Sequence, residues 1–555
     1  FFFPKSKYCQ FNMAKSMALN SAAGLAGMLK AGHKHMEGVD GATLRNVEAA
    51  KGLAGIVCTS LGPNGMNKLV INHLEKIIVT SDCATIVKEL EIQHPAAKML
   101  ELAAEMQEQE CGDATNLTVS FAGELLKMCE DLLRMGLHTS EIVMGYKRAY
   151  EFLEKALPTL VTETVKDCRD EKEMIRIVTP VLAAKQFGFE SVLAPLVVSA
   201  CQGTFSSNGR AAVNSDSVRI AKIMGGNVSQ SEVIQGMVIM RGTEGSIQHM
   251  DAAKISVFAC GLEASATEAK GTVLMKNADD LMSYNKSEEK KMDEIIKAIA
   301  DTGTKVVISG GTVSEMAMHF IERYGMMCVK IVSKWELRRI CSATGSTALV
   351  RLGPATAEEM GFCDEVNVRE IGGRKVVIFA QKDNAKDGCR VATILLRAST
   401  ESVLNDLERA VDDGVNCIRT CCSNGALVPG AGATEMELSH RIKAFGDTCP
   451  GLDQYAIRSF AKALEFVPRT LAENSGQEPT DILAALTAAH ANGNASAGVD
   501  ITGEGNGVRD AGKDIVDLLH TKDSAFRLAV DAAITVLRVD QIIMSKPAGG
   551  GKLGI

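Results

Sequence analysis

Three aspartates carry the chemistry that this sequence suggests. VTSDCATIVKEL places Asp82, and CGDATNLTVSF places Asp113, each followed by a small residue and a threonine at the opening of an apolar helical run. LERAVDDGV places Asp413 within a charged helical run that also holds Glu408, Arg409 and Asp412. Shortly before Asp82 lies a Gly-Pro-Asn-Gly turn, GPNGMNK, starting at Gly62. A turn rich in free N–H groups beside helix starts can hold an anionic phosphate. A carboxylate at that point repels phosphate unless Mg²⁺ bridges the two. Turn, aspartate and helix start together therefore read as a metal–phosphate site, provided that they meet in space.

Each piece has a plainer reading. An aspartate at a helix N-cap contributes about 0.5–2 kcal/mol without any ligand. GPNG is also an ordinary β-turn. The run around Asp413 is also what a solvated helix face looks like. Taken singly, the three acids are two caps and a surface charge.

The elements that would position these residues follow from periodicity. From Gly41 to Pro158 the pattern is mostly helical, with amphipathic runs at Ala96–Gln107 and Asn116–Leu133. One hairpin interrupts it, with Lys68–Ile71 and Lys76–Thr80 around a polar turn. The middle changes character: KVVISGG, TVSEMAMHFIERY, MMCVKIV and SKWELRRI alternate strand and helix, an α/β unit. In its first helix Met316, Phe320, Ile321 and Tyr324 share a face. Just before it, NADDLMSYNKSEEKKMDEIIKAIADTG is a charged stretch expected to protrude or lie on the surface. From Leu404 the chain is helical again, and Ala525, Leu528, Ala529, Ala532, Val536 and Leu537 form a core-facing stripe. Helical ends around an α/β centre suggest an inserted middle domain, with the ends joining into one helical domain.

Bulk composition narrows the class. The chain has 555 residues, too many for one core. Its net charge of -8 gives no basic footprint for nucleic acid, and no apolar run of 18 residues argues for a membrane span. Its 16 cysteines are scattered, as reduced thiols of a cytosolic protein would be. No Walker A motif and no GxGxxG after a strand is present, so GEGNG at Gly503 and PGAGATE at Pro429 read as glycine-rich turns. No small-molecule catalytic constellation supports a stand-alone α/β metabolic enzyme. The start before Met17, residues 1–16, reads as extraneous or disordered, and the tail 548–555 as flexible.

GPNGMNK, VTSDCATIVKEL, EIQHPAAKM, CGDATN, LERAVDDGV, LVPGAGATE and VLRVDQIIMSKP, in that order, resemble the group II chaperonins over nearly the whole chain. The resemblance implies a multidomain α/β fold in three parts. A mostly helical equatorial domain would use residues 17–157 and 422–547, and a small α/β intermediate domain 158–229 and 390–421. An α/β apical domain, 230–388, would bind non-native polypeptide and carry a helical lid protrusion at about 265–299. It further implies a cytoplasmic ATPase subunit working with paralogous subunits in two stacked eight-membered rings that enclose unfolded polypeptide clients. The cofactors would be ATP and Mg²⁺.

Carried over by motif, the nucleotide loop falls on Leu61, Gly62 and Pro63, and the Mg²⁺-binding acid on Asp113. Ala114, Thr115, Asn116 and Leu117 follow it as nucleotide-binding positions. Asp82 matches the acid near the attacking water, and Asp413 the acid that orients or deprotonates that water. Ala184 and Lys185, in TPVLAAKQFG, match the loop that senses the γ-phosphate. Gly430, Ala431, Gly432, Asp517 and Lys522 match positions around base and ribose. There are departures. The family's Gly-Asp-Gly-Thr-Thr is here Gly112-Asp113-Ala114-Thr115-Asn116, so Ala114 puts a Cβ where backbone passes close to phosphate. Asp82 is followed by Cys83 instead of glycine, and Ala431 interrupts the glycines after Pro429. Ala398 replaces a hinge glycine, which would stiffen the apical swing. ATP binding is expected, with hydrolysis slower than at a full motif; a mainly structural ring subunit that binds ATP or ADP without productive turnover is the alternative.

Overall fold

The computed structural model describes residues 34–37, 42–72, 74–205, 212–263, 278–381, 391–502, 507–512 and 514–544. Residues 1–16, the tail 548–555 and residues 265–277 of the expected protrusion lie outside the described residues, as does Gly503.

Helices dominate both ends of the chain, and local sequence sets their limits. Asp82 caps the helix Cys83–Glu89, accepting a hydrogen bond from the Thr85 N–H at 3.0 Å. Pro95 occupies the first turn of Pro95–Glu110, where its missing N–H costs nothing. Thr400 caps Glu401–Ser423 through the Val403 N–H. The hairpin pairs Lys68–Ile71 with Ile77–Thr80 in antiparallel register. Its turn closes on Asn72, whose Oδ1 accepts from the N–H groups of Leu74 and Lys76 at 3.0 Å each.

These helices bury one shared apolar core. It joins residues between Val47 and Leu160 to residues between Leu438 and Leu537. Phe121 sits at its centre with no exposed surface. The rings of Phe460 and Phe526 meet it edge-on at 5.6 and 5.4 Å, and Phe466 stacks at 6.1 Å. Edge-to-face pairs add about 0.5–1.5 kcal/mol beyond their burial. The aromatic cluster thus ties together segments more than 300 residues apart in sequence.

A second core packs Glu171–Lys185 and Glu190–Thr204 against Glu401–Ser423. Ala398 lies here at the end of the strand Ala392–Ala398, buried and extended, paired with Met224.

The middle of the chain builds a mixed nine-stranded sheet. Its path runs through strands 218–224, 392–398, 232–239, 374–380, 361–371, 249–258, 306–309 and 327–330, and the short strand Ala348–Leu349 pairs beside 249–258. The strand–helix–strand–helix alternation appears as Val306–Ser309, Glu315–Arg323, Met327–Lys330 and Lys334–Thr344, with the two strands parallel. The helix Ala278–Asp301 covers this unit. Met292, Ile296 and Ile299 are buried against Ile321, so its C-terminal half is packed into the core and does not stand away from it. A modest apolar stripe at helical spacing is enough to seat that half.

Replacing Phe121 with alanine removes a ring that four segments share. It should cost about 3–5 kcal/mol in denaturant unfolding; a loss below about 1 kcal/mol would contradict this account of the core.

Candidate functional site

A cavity of about 490 Å³ opens between the helical body and the second core. Leu61, Gly62 and Pro63 form one side, and Asp113, Ala114, Thr115, Asn116 and Leu117 another. Ala184 and Lys185 come in from the end of the helix Glu171–Lys185, and Ala431, Gly432, Asp517 and Lys522 close the far end. Sequence segments hundreds of residues apart therefore meet here. Gly430 lies behind the wall; a Cβ there would stand 2.9 Å from Ile515 Cγ2 and 3.1 Å from its carbonyl oxygen.

Asp82 and Asp413 do not border the cavity directly. Both are buried just behind Lys185, which joins them: its Nζ is 2.8 Å from Asp82 Oδ1 and 3.1 Å from Asp413 Oδ2. Asp82 divides its labour between its two oxygens. Oδ1 takes the lysine, while Oδ2 accepts from both the N–H (3.0 Å) and the hydroxyl (2.7 Å) of Thr85. The cap reading of Asp82 is thus correct, and its other oxygen is engaged by Lys185. The surface-charge reading fails for Asp413, which is only 4 % exposed.

The electrostatics follow from burial and one shared cation. Burial works against the charged Asp82 carboxylate, but Lys185 and Thr85 outweigh it and hold the carboxyl well below its usual range. Burial also opposes the Lys185 ammonium; Asp413, Asp82 and Asp113 overcome it and keep the lysine firmly charged. Asp413 goes the other way. Its burial outweighs the pull of Lys185, nearby Asp82 and Asp113 add to it, and the carboxyl is pushed well up. Its Oδ2 accepts no hydrogen bond. Glu108, on the helix Pro95–Glu110, is pushed up to about 7, first by burial and then by Asp82. Two carboxyl groups contact this lysine, and Asp113 and Glu108 act on it from further away.

Asp113 differs from its expected role as a cap. The N-cap of Thr115–Arg134 is Ala114, which has a left-handed backbone at φ 63° and makes no side-chain cap bond. Burial pushes the Asp113 carboxyl up, against the pull of Lys185 and of the Ala114 N–H. Ala431 is left-handed too, at φ 53°, just before the helix Ala433–Thr448. An L-residue in this region is strained by about 1–2 kcal/mol. Two helix starts that border the cavity therefore carry strained alanines.

Other residues around the site were not marked by the aspartate and glycine patterns. Gln107, fully buried, donates to the Asp113 carbonyl at 2.8 Å and to the Thr521 carbonyl at 3.3 Å, fixing the loop between them. MQEQE contains both Gln107 and Glu108, and helical spacing after the apolar run is the only signal they offer. The Asn116 side chain donates to Ser60 Oγ at 3.0 Å, and both residues line the cavity. Lys522 is buried between Glu435 Oε1 (2.8 Å) and Asp517 Oδ2 (2.9 Å), its charge already matched. Ile177, Pro180, Val181 and Phe187 give the cavity an apolar wall.

Among the described residues, no three His, Cys, Asp or Glu side chains are close enough to hold a metal ion by themselves. Asp113, which borders the cavity, is a carboxylate that could hold Mg²⁺, an ion that usually takes one or two carboxylates plus substrate phosphates.

This fold and this cavity define a chaperonin. The model of the TCP-1/cpn60 chaperonin family matches residues 53–547, and the chain belongs to that family. Its function is that of a chaperonin. It is 49 % identical to T-complex protein 1 subunit theta of Gallus gallus and of Homo sapiens, each over 541 residues that cover 97 % of both chains. Against the subunit theta of Dictyostelium discoideum it is 48 % identical over 530 residues, 95 % of this chain and 98 % of that protein. NGMNKLVINHLEK, MQEQE, TCPGLDQYAI and VDQIIMSKPAGG resemble the theta subunit in particular. No described helix is long and apolar enough to cross a membrane.

Replacing Ala114 with glycine should relieve the left-handed strain and raise stability by about 0.5–1 kcal/mol, while valine there should lower it by more than about 1 kcal/mol. Thermal unfolding of both variants checks the sign, and a glycine variant less stable than the parent would contradict it.

Proposed function

We propose that this chain is an ATP-hydrolysing subunit of a hetero-oligomeric double-ring chaperonin, with nucleotide and Mg²⁺ in the cavity described above. The observation that carries the reading is that Asp113 and Lys185 line one cavity, with Asp82 and Asp413 paired to Lys185 just behind its wall, from four separate segments. Phosphoryl transfer needs positioning and charge neutralisation more than covalent chemistry. This arrangement is suited to both.

In this reading Asp113 holds Mg²⁺, and Asp82 lies near the attacking water. Mg²⁺, when bound, neutralises phosphate charge and orients the groups to be displaced. The Gly62 N–H and the N-terminus of Thr115–Arg134 would offer backbone N–H groups to phosphate. The apolar wall takes the base, and Asp517 lies at the ribose end. Lys185 exchanges its carboxylate partners for phosphate. Asp413, released from Lys185, would then orient or deprotonate the attacking water.

Asp413 and Lys185 sit on helices of the second core, whereas Asp82 and Asp113 belong to the helical body. Hydrolysis would therefore proceed only while the two are together, as they are here, which would couple turnover to their movement. The chain would act in the cytoplasm with paralogous subunits in two stacked eight-membered rings, on unfolded polypeptides.

A second reading has its own observation. Ala114 and Ala431 are both left-handed where they border the cavity, and each adds a methyl group beside the phosphate loops. A ring subunit that binds ATP or ADP with slow or no turnover would tolerate such changes.

Asp413→Ala separates the two readings. Loss of a general base costs about 10²–10⁴-fold in rate, so this subunit's share of ATP turnover in the assembled complex should vanish while ATP binding persists. Unchanged turnover would favour the structural reading. Native mass tests assembly: a stable 59.1 kDa monomer would sink the ring proposal.

A further inference from the structure

Seven residues before Asp413, on the same face of the helix Glu401–Ser423, stands Asp406, which is 8 % exposed. Its carboxylate ties three elements together. Oδ1 accepts from the Thr80 hydroxyl at 2.9 Å, a buried contact across 326 residues of sequence. Oδ2 accepts from the Gln186 amide, and Gln186 immediately follows Lys185. The Thr80 hydroxyl in turn accepts from the Asp82 N–H at 3.0 Å. Arg409 Nη1 lies 3.9 Å from Oδ1 as its nearby cation.

We propose that Asp406 is a positioning residue for ATP turnover at this site, acting through Thr80 on Asp82 and through Gln186 on Lys185. The inference rests on the hydrolytic reading given above. One helix face would then meet the site twice. Asp413 pairs with Lys185 directly, and Asp406 fixes the backbone from which Lys185 and Asp82 project. The two contacts are made or broken together when the helix Glu401–Ser423 moves against the hairpin. The registration of both catalytic carboxylates and the lysine is thereby set by a single helix. Asp406 itself does not border the cavity, so its effect should fall on the rate and not on nucleotide affinity.

The test uses the assembled complex containing the full chain as parent, Asp406→Ala, Asp406→Asn, Thr80→Val and Asp413→Ala. The turnover lost in Asp413→Ala defines this subunit's share. Misplacing a reacting group by about 1 Å can cost up to about 10²-fold, so Asp406→Ala should lower that share by about tenfold, with the KM for ATP within about twofold. Thr80→Val should do likewise, and the Thr80→Val/Asp406→Ala double variant should be no worse than the worse single one. Asp406→Asn should retain most of the rate. Its Oδ1 still accepts from Thr80, and the Gln186 amide can turn to accept from its NH₂.

A purely structural role would reduce the yield of assembled complex for Asp406→Ala and leave turnover per complex unchanged. That result overturns the inference alone. An asparagine variant as slow as the alanine variant also overturns it. If Asp413→Ala leaves turnover unchanged, the hydrolytic reading fails and takes this inference with it.

Discussion

The site depends on one buried ammonium. Lys185 lies between Asp82 and Asp413, two carboxylates carried by different cores, and no other described cation touches either of them. Burying a carboxylate without a partner is costly, and removing one member of a buried pair typically costs about 3–5 kcal/mol. The lysine therefore fixes how the helix Glu401–Ser423 sits against the start of Cys83–Glu89. It does so without satisfying everything around it, since Asp413 Oδ2 lacks a hydrogen bond and Asp113 and Glu108 remain nearby. The site is held together while carboxyl groups around the lysine stay only partly matched. Such a balance suits a contact that must re-form each time a ligand comes and goes.

Against that balance stand the two alanines. Left-handed backbone at Ala114 and Ala431 is the geometry that glycine adopts freely, and the chain keeps it with a methyl group attached. Gly112, beside Ala114, has no such latitude: a Cβ there would lie 2.2 Å from the Asn416 amide nitrogen. The loop's path is thus imposed by its packing against Glu401–Ser423, and Ala114 follows at a cost. With nucleotide in the cavity as proposed, the methyl group at each alanine would narrow the space before the loop N–H groups. Binding is less sensitive to such narrowing than is the alignment that hydrolysis demands.

Much of the fold was legible because periodicity is a strong signal. The hairpin at Lys68, the amphipathic helices after it and the strand–helix alternation after Lys305 all appear close to where their patterns put them. The candidate site was legible unevenly. Asp82 and Asp113 share one local pattern, Asp followed by small residues and Thr, yet only Asp82 is a cap. The difference is the backbone of Ala114, and nothing in the residue type announces a left-handed alanine. Asp413 looked like surface charge because its neighbours Glu408 and Arg409 do face partly outward. Only a lysine arriving from another helix reveals the buried side. Gln186 gave no signal and Gln107 only helical spacing, since uncharged amides acquire their meaning from the carbonyl or carboxylate that tertiary packing brings to them. Motif resemblance supplied what spacing could not, because it links positions that meet only in the folded chain.

The central claim is that Asp113, Lys185 and Asp413 serve one phosphate. The most direct measurement is a cryo-EM structure of the assembled complex with Mg²⁺, ADP and aluminium fluoride as the phosphoryl-transfer mimic. The account predicts a mimic contacted by Lys185, with Mg²⁺ held on Asp113 and the Asp413 carboxylate facing the position of the attacking water. Nucleotide bound with Lys185 still locked between Asp82 and Asp413, or bound outside this cavity, would contradict it.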